Sequence, residues 1–293
     1  MTTSASHQIP ALALPMTIET RHRAGYVDRC LELTDSLLDD RNRGPMEPLT
    51  TIRFSDGQAA TAARVDSESL ALGLQALSLE SAPTLVIIGG ASKLTSRDAD
   101  KLRPLALELW RVVEDVAATV VDGGTDTGLM RLIGQARLET QSKRPLVGVA
   151  VGGLVTWPEG PISAGRFPLE PNHSHFVLVP GSEWGDEGPW LAGVSSILAR
   201  DLESLTVLIN GGDLSWQDAT HSVDAGRPVL VIAGTGRAAD DLSSSSAGHP
   251  GDGRAAALLN SGLVESMELA DGPKAIVRAI RDRLMEGSHG LRG

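Results

Sequence analysis

The stretch Ala118-Thr119-Val120-Val121-Asp122-Gly123-Gly124-Thr125-Asp126-Thr127-Gly128 decides how this chain folds. Its first four residues make a short, mostly β-branched run that two glycines then stop. From Thr127 an apolar pattern with helical spacing runs to Leu138. A strand without polar alternation that turns straight into a helix is half of a βαβ unit. Such units build a parallel sheet with helices on both faces.

The same rhythm recurs in both directions. Upstream, 84–88 is an apolar run ending in Gly89-Gly90, and a helix capped by Ser96 carries Leu102, Leu105, Leu109 and Val113 on one side, with Pro104 interrupting its first turns. Downstream, 145–151, 175–179, 205–209, 228–233 and 263–268 read as strands, with helices over 188–200, near 214–225 and near 273–286. Ahead of this region, 51–54 and 58–65 around Asp56-Gly57 form a hairpin, followed by a helix from a Ser67 cap to Leu79. Residues 1–48 read as a loosely attached arm with one helical stretch at 26–38. A single domain is expected over 49–287, with its core at about 80–285. The serine- and glycine-rich segment 243–253 breaks the pattern and reads as a flexible surface loop or lid.

Right-handed crossovers put all strand carboxyl ends on one edge, where doubly wound folds bind ligands. Several strands here end in glycine turns at that edge. The turn Gly123 to Gly128 can bring backbone N–H groups and the Thr125 and Thr127 hydroxyls to a phosphate; taken alone it is equally a tight strand–helix turn. Gly211-Gly212 and Gly234-Thr235-Gly236-Arg237 end two further strands, and Arg237 stands where a guanidinium can grip a pyrophosphate. His173, in Asn172-His173-Ser174-His175, is suited to hydrogen-bond a ribose or phosphate, or to pin the long loop. Two His one residue apart on an extended segment face opposite ways, so they make a poor metal pair, and no metal site is expected.

Composition narrows the classes further. Of 293 residues, 41% are hydrophobic, enough for a full core in one large or two small domains. No apolar run approaches the roughly 18 residues of a membrane helix, and the amino terminus lacks the cationic start of a secretory signal. The lone Cys30 excludes an internal disulfide, and a cytoplasmic protein is expected. A net charge of −11 without a basic run argues against nucleic acid. Aromatic residues, at 3%, advertise no base-stacking platform.

Three blocks carry a family resemblance: 121–130, the Pro171-Asn172-His173-Ser174-His175-Phe176 segment, and Gly234-Thr235-Gly236-Arg237-Ala238-Ala239-Asp240 after Asn210-Gly211-Gly212. Together they resemble the amino-terminal homology region of TRPM cation channels and its stand-alone prokaryotic SLOG (LSDAT) counterparts. The resemblance covers about 80–285. It implies a Rossmann-like fold that senses nucleotide-derived ligands such as ADP-ribose or NAD. By motif, the ligand cleft would involve Gly90, Gly124, Thr125, Thr127, Gly128, His173, Gly212, Gly236 and Arg237. No cofactor is implied beyond that ligand. The output would pass through an effector protein or a homo-oligomer.

LOG-type phosphoribohydrolases of the same superfamily carry Pro-Gly-Gly-x-Gly-Thr-x-x-Glu. Here the matching stretch is Asn210-Gly211-Gly212-Asp213-Leu214-Ser215-Trp216-Gln217-Asp218. The proline, third glycine and threonine are replaced, and the glutamate is shortened to Asp218. Three readings stay open: a ligand sensor, a nucleotide hydrolase using Asp218 or Asp126, and a scaffold with a degenerate pocket.

Overall fold

A computed structural model describes residues 49–158, 160, 165–246 and 253–286. The expected arm, its helical stretch and Cys30 lie outside the described residues. In chain order the strands are β1 (Thr50–Arg53), β2 (Ala59–Arg64), β3 (Thr84–Gly89), β4 (Thr119–Asp122), β5 (Leu146–Val151), β6 (Val155–Thr156), β7 (Phe167–Pro168), β8 (His175–Val179), β9 (Ser204–Ile209), β10 (Val229–Ala233) and β11 (Val264–Glu268). The helices are α1 (Leu70–Ala76), α2 (Ser96–Asp115), α3 (Gly128–Thr140), α4 (Gly188–Ala199), α5 (Asp213–Asp224), α6 (Arg237–Ser246), α7 (Gly253–Asn260) and α8 (Pro273–Met285).

Nine strands form one sheet in the order β1-β2-β8-β5-β4-β3-β9-β10-β11. All neighbours are parallel except the β1–β2 hairpin, whose Asp-Gly turn is closed by Phe54 N–H to the Gln58 carbonyl at 2.9 Å. β6 and β7 pair separately. The chain steps from β3 through β4 to β5, then later returns to lay β9 on the other side of β3. That reversal between β3 and β9 is the switch point of a Rossmann-like doubly wound sheet.

The fully apolar strands have the double cover they require. Leu85, Ile87 and Val120 pack under α2, α3 and α8, while Val86, Val121 and Val149 pack under α1, α4, α5, α6 and α7. Among the described residues, no helix is long and apolar enough to cross a membrane.

Local details differ from expectation where packing or capping decides. Thr95, not Ser96, caps α2, accepting the Asp98 N–H. Pro104 lies inside that unbroken helix, exposed, so water can serve the carbonyl it leaves free. Ser69, not Ser67, precedes α1, which ends at Ala76 rather than Leu79, and its hydroxyl is tied to Asp66. The expected loop at 243–253 is helical at 243–246 and at 253, while 247–252 lie outside the described residues. Buried Ala238, Ala239 and Leu242 seat α6 with Ser243 to Ser246 as its last turn, and Ala255 and Leu258 seat α7 from Gly253. A serine run has modest helix propensity, and burial of the apolar side overrides it.

Candidate functional site

At the switch point one residue organises two turns. Asn210 directly follows β9 in the left-handed region, with φ of 59°, and is buried. Its N–H donates to Thr235 Oγ1 at 2.8 Å and its side-chain amide to the Thr235 carbonyl at 2.6 Å. In return its Oδ1 accepts the Gly211 N–H, and its carbonyl accepts the Ala239 N–H. The β9 and β10 turns are thereby locked together, and α5 and α6 both start from them. First-turn N–H groups have no partner within their own helix; the Asn210 carbonyl takes that of Ala239, and the others lie at this edge.

Four expected residues gather around that lock. A Cβ at Gly90 would meet Asn210 Oδ1 at 2.5 Å, and one at Gly236 would meet Asn210 Nδ2 at 3.0 Å. Gly212 lies under Arg237, where a Cβ would reach Nη2 at 2.5 Å. Arg237 is exposed and, like Asn210, has a positive φ, 56°, which side-chain-bearing residues adopt only under constraint. Asn210 itself was not among the residues expected from sequence. The available signal was an Asn at a strand end before two glycines, a residue type enriched at positive φ.

The β4 turn is built differently. Asp122 Oδ1 accepts the Gly124 N–H at 2.7 Å, the Pro168 carbonyl takes the Asp126 N–H at 2.8 Å, and the Gly90 carbonyl takes the Leu129 N–H at 2.8 Å. Thr125 and Thr127 hydroxyls face each other at 3.2 Å. Gly128 opens α3 against the carbonyls of Gly90 and Ala91, and Gly124, with φ of 69°, packs on Gly148. Asp126 is engaged by Arg131, Nε to Oδ1 at 2.6 Å. Much of this turn's hydrogen-bonding capacity is therefore already used inside the protein.

Beneath it lies a fully buried group. His173 Nε2 is 2.8 Å from Asp122 Oδ1, and Nδ1 is 2.8 Å from Glu170 Oε2. Burial alone would lower the histidine's pKa, but the Asp122 and Glu170 carboxylates outweigh it and hold the ring up at about 9. His173 is thus an imidazolium donating from both nitrogens, stacked on Phe176 with ring centres 5.2 Å apart. Of the two roles considered for it, this geometry supplies the pin: the Glu170 N–H bonds the Gly124 carbonyl, and Leu169 bridges to Thr125. His175 is a separate case, half-buried with its pKa lowered to about 4 by burial and by Arg137.

Asp218 lies farther along α5. It shares a helix side with His221, and both approach Gly188 at the start of α4. Burial, reinforced by the Glu187 carboxylate, pushes the Asp218 carboxyl up to about 7; burial likewise raises Glu187. Among the described residues, no group of three His, Cys, Asp or Glu is placed to hold a metal ion. A shallow groove of about 520 Å³ between Pro104, Leu107 and Arg111 on α2 and Gly272-Pro273 at α8 contains none of the candidate residues.

The family model that matches this chain spans the three sequence blocks. The family model described as SLOG in TRPM, prokaryote, matches residues 82–278. Transient receptor potential cation channel subfamily M member 2 of Mus musculus is 26% identical over 171 residues, covering 46% of this chain and 11% of the channel. The member-like 2 channel of Nematostella vectensis is 27% identical over 202 residues, covering 54% of this chain and 13% of the channel. Member 4 of Rattus norvegicus is 28% identical over 170 residues, covering 46% and 14%. The chain therefore spans only a small part of the curated relatives it matches. Two solved structures are similar at TM-score 0.46. One is the molybdenum cofactor carrier protein of Chlamydomonas reinhardtii, 14% identical, covering 69% of this chain and 98% of that one. The other is TM1055, 22% identical, covering 68% and 98%.

Proposed function

The chain belongs to the prokaryotic SLOG-in-TRPM family, and on that premise we propose that its carboxyl edge binds a nucleotide-derived ligand, ADP-ribose, NAD or a related molecule, as a ligand sensor. The observation that carries the reading is the Asn210 lock. It brings two helix starts, Gly90, Gly212, Gly236 and the exposed Arg237 guanidinium together at the switch point of the sheet. Helix N-termini and a guanidinium are what a pyrophosphate needs: oriented N–H donors and a planar double donor. An effector protein or a second copy of the chain would receive the signal, and a cytoplasmic home belongs to the same proposal.

Arg237→Ala is expected to weaken ADP-ribose binding by about 1–3 kcal/mol, the scale of a lost charge-assisted hydrogen bond. Calorimetric titration measures it; an unchanged affinity removes Arg237 from the site.

One observation favours a second reading, hydrolysis of the ligand's glycosidic bond. Asp218 lies with His221 against Gly188 at the start of α4, and a carboxyl pushed up to about 7 by burial and by Glu187 suits a general acid or base. If Asp218 serves chemistry, Asp218→Asn abolishes release of the free base while ADP-ribose still binds. Recovery of intact ADP-ribose from the unaltered protein leaves the sensor.

A further inference from the structure

Aromatic residues are scarce in this chain, but the fold concentrates them. Phe54, Trp157 and Trp184 pack against a small cluster that contains Phe176. Phe167 meets Trp184 edge to face, with ring centres 5.4 Å apart and planes at 86°. This pair connects the two kinds of turn. Phe167 lies on β7 beside Pro168, whose carbonyl holds the Asp126 N–H of the β4 turn. Trp184 precedes Gly185, which sits so close to α5 that a Cβ there would meet Leu214 Cδ2 at 2.9 Å and Gln217 Oε1 at 3.3 Å. One ring is therefore anchored to the β4 turn and the other to the helix that starts at Gly212.

The pair is also open to solvent. Phe167 and Leu214 are each 37% exposed, and Trp184 is half-buried. Large apolar side chains this exposed are few among the described residues; Phe167 touches Trp184, and Leu214 approaches the adjacent Gly185. An edge-to-face contact uses the edge of one ring and one face of the other, and a planar heterocycle can lie on a face that stays exposed.

We infer that Phe167 and Trp184, with Leu214 beside them, form a stacking subsite for the base of a nucleotide whose phosphates lie at Gly212 and Arg237. The inference rests on the nucleotide-binding reading above and adds the part of the ligand that reading leaves without a partner. A stacked base gains from any aromatic face irrespective of its hydrogen-bonding edge, so the subsite selects ligands with a base over bare sugar phosphates without distinguishing bases sharply.

The test compares two probes, ADP-ribose and ribose 5-phosphate, titrated calorimetrically into the unaltered protein, Trp184→Leu and Trp184→Phe, each checked for an intact melting transition. The subsite requires the unaltered protein to bind ADP-ribose more tightly than ribose 5-phosphate. Trp184→Leu should then lower ADP-ribose affinity roughly 5- to 150-fold, the measured range for losing one base–aromatic stack. Ribose 5-phosphate affinity should change less than about twofold, and Trp184→Phe should recover most of the loss. Equal losses for both probes, or none, would overturn the subsite and leave the nucleotide reading standing. Failure of both probes to bind the unaltered protein would overturn that reading and the subsite with it.

Discussion

Glycine turns of two kinds lie on one sheet edge, nearly alike as strings of residues, and they are put to opposite uses. The turn after β4 closes on itself: its donors go to Asp122, Pro168 and Gly90, and a buried Asp122–His173–Glu170 group fixes it from below. The turns after β9 and β10 are fixed from the side by Asn210 and by their own helices, Gly212 N–H on Ser215 Oγ and Gly234 N–H on Asp240 Oδ1, and they leave the Arg237 guanidinium exposed above Gly212. A glycine pair after a strand marks where backbone must come close. It does not mark what the backbone comes close to: in one turn that is the protein's own interior, in the other an open edge.

The contrast can be broken most forcefully at the closed turn. His173→Leu would leave the Asp122 and Glu170 carboxylates buried without their shared cation. That change is expected to destabilise the fold by about 3–5 kcal/mol, read from the urea midpoint. A loss below about 1 kcal/mol would show that the group does not hold this turn.

The same group predicts a pH dependence of comparable size. His173 has a folded pKa of about 9 against an unfolded 6.5, so its stabilisation is complete below about pH 6.5 and lost as pH rises through 9. The full span is about 3 kcal/mol. Asp218, raised from 3.8 to about 7, has the same sign in a lower window, its stabilisation being lost as pH rises through 7. Unfolding curves between pH 7.5 and 9.5 therefore isolate the histidine. His173→Gln should flatten them, and an unflattened curve assigns the slope to another group.

A smaller pair of changes sharpens the comparison at its two glycines. Gly124→Ala places a methyl 2.8 Å from the Gly148 Cα in a backbone conformation with φ of 69°, and should cost about 2 kcal/mol of stability. Gly212→Ala meets only the mobile tip of Arg237 and should cost less than about 1 kcal/mol, while displacing the guanidinium and weakening ADP-ribose binding. If both changes damage stability equally, the division into closed and open turns fails.

How far the residues announced all this varies by element. The apolar strands were legible because full burial removes alternation and short β-branched runs are hard to place otherwise. The helix α6 was not, since Ser243 to Ser246 carry little propensity and only the docking of Leu242 explains them. Gly90, Gly212, Gly236 and Arg237 were legible in glycine turns, but Asn210, which assembles them, read only as the residue between a strand and its glycine pair. The aromatic pair was hidden by its scarcity: an average over 293 residues says nothing of two rings, 17 residues apart in number, meeting at 5.4 Å.

By itself the sequence determined the doubly wound layout, because strand length, apolar continuity and glycine stops are local properties that survive any arrangement of neighbours. It also determined that several strand ends carry glycine turns. Tertiary structure alone decided which turn stays open. That depends on partners distant along the chain: His173 sits 51 residues from Asp122, and Thr235 sits 25 from Asn210. A hydrogen bond forms wherever folding brings donor and acceptor within about 3 Å, and no periodicity along the chain records that distance.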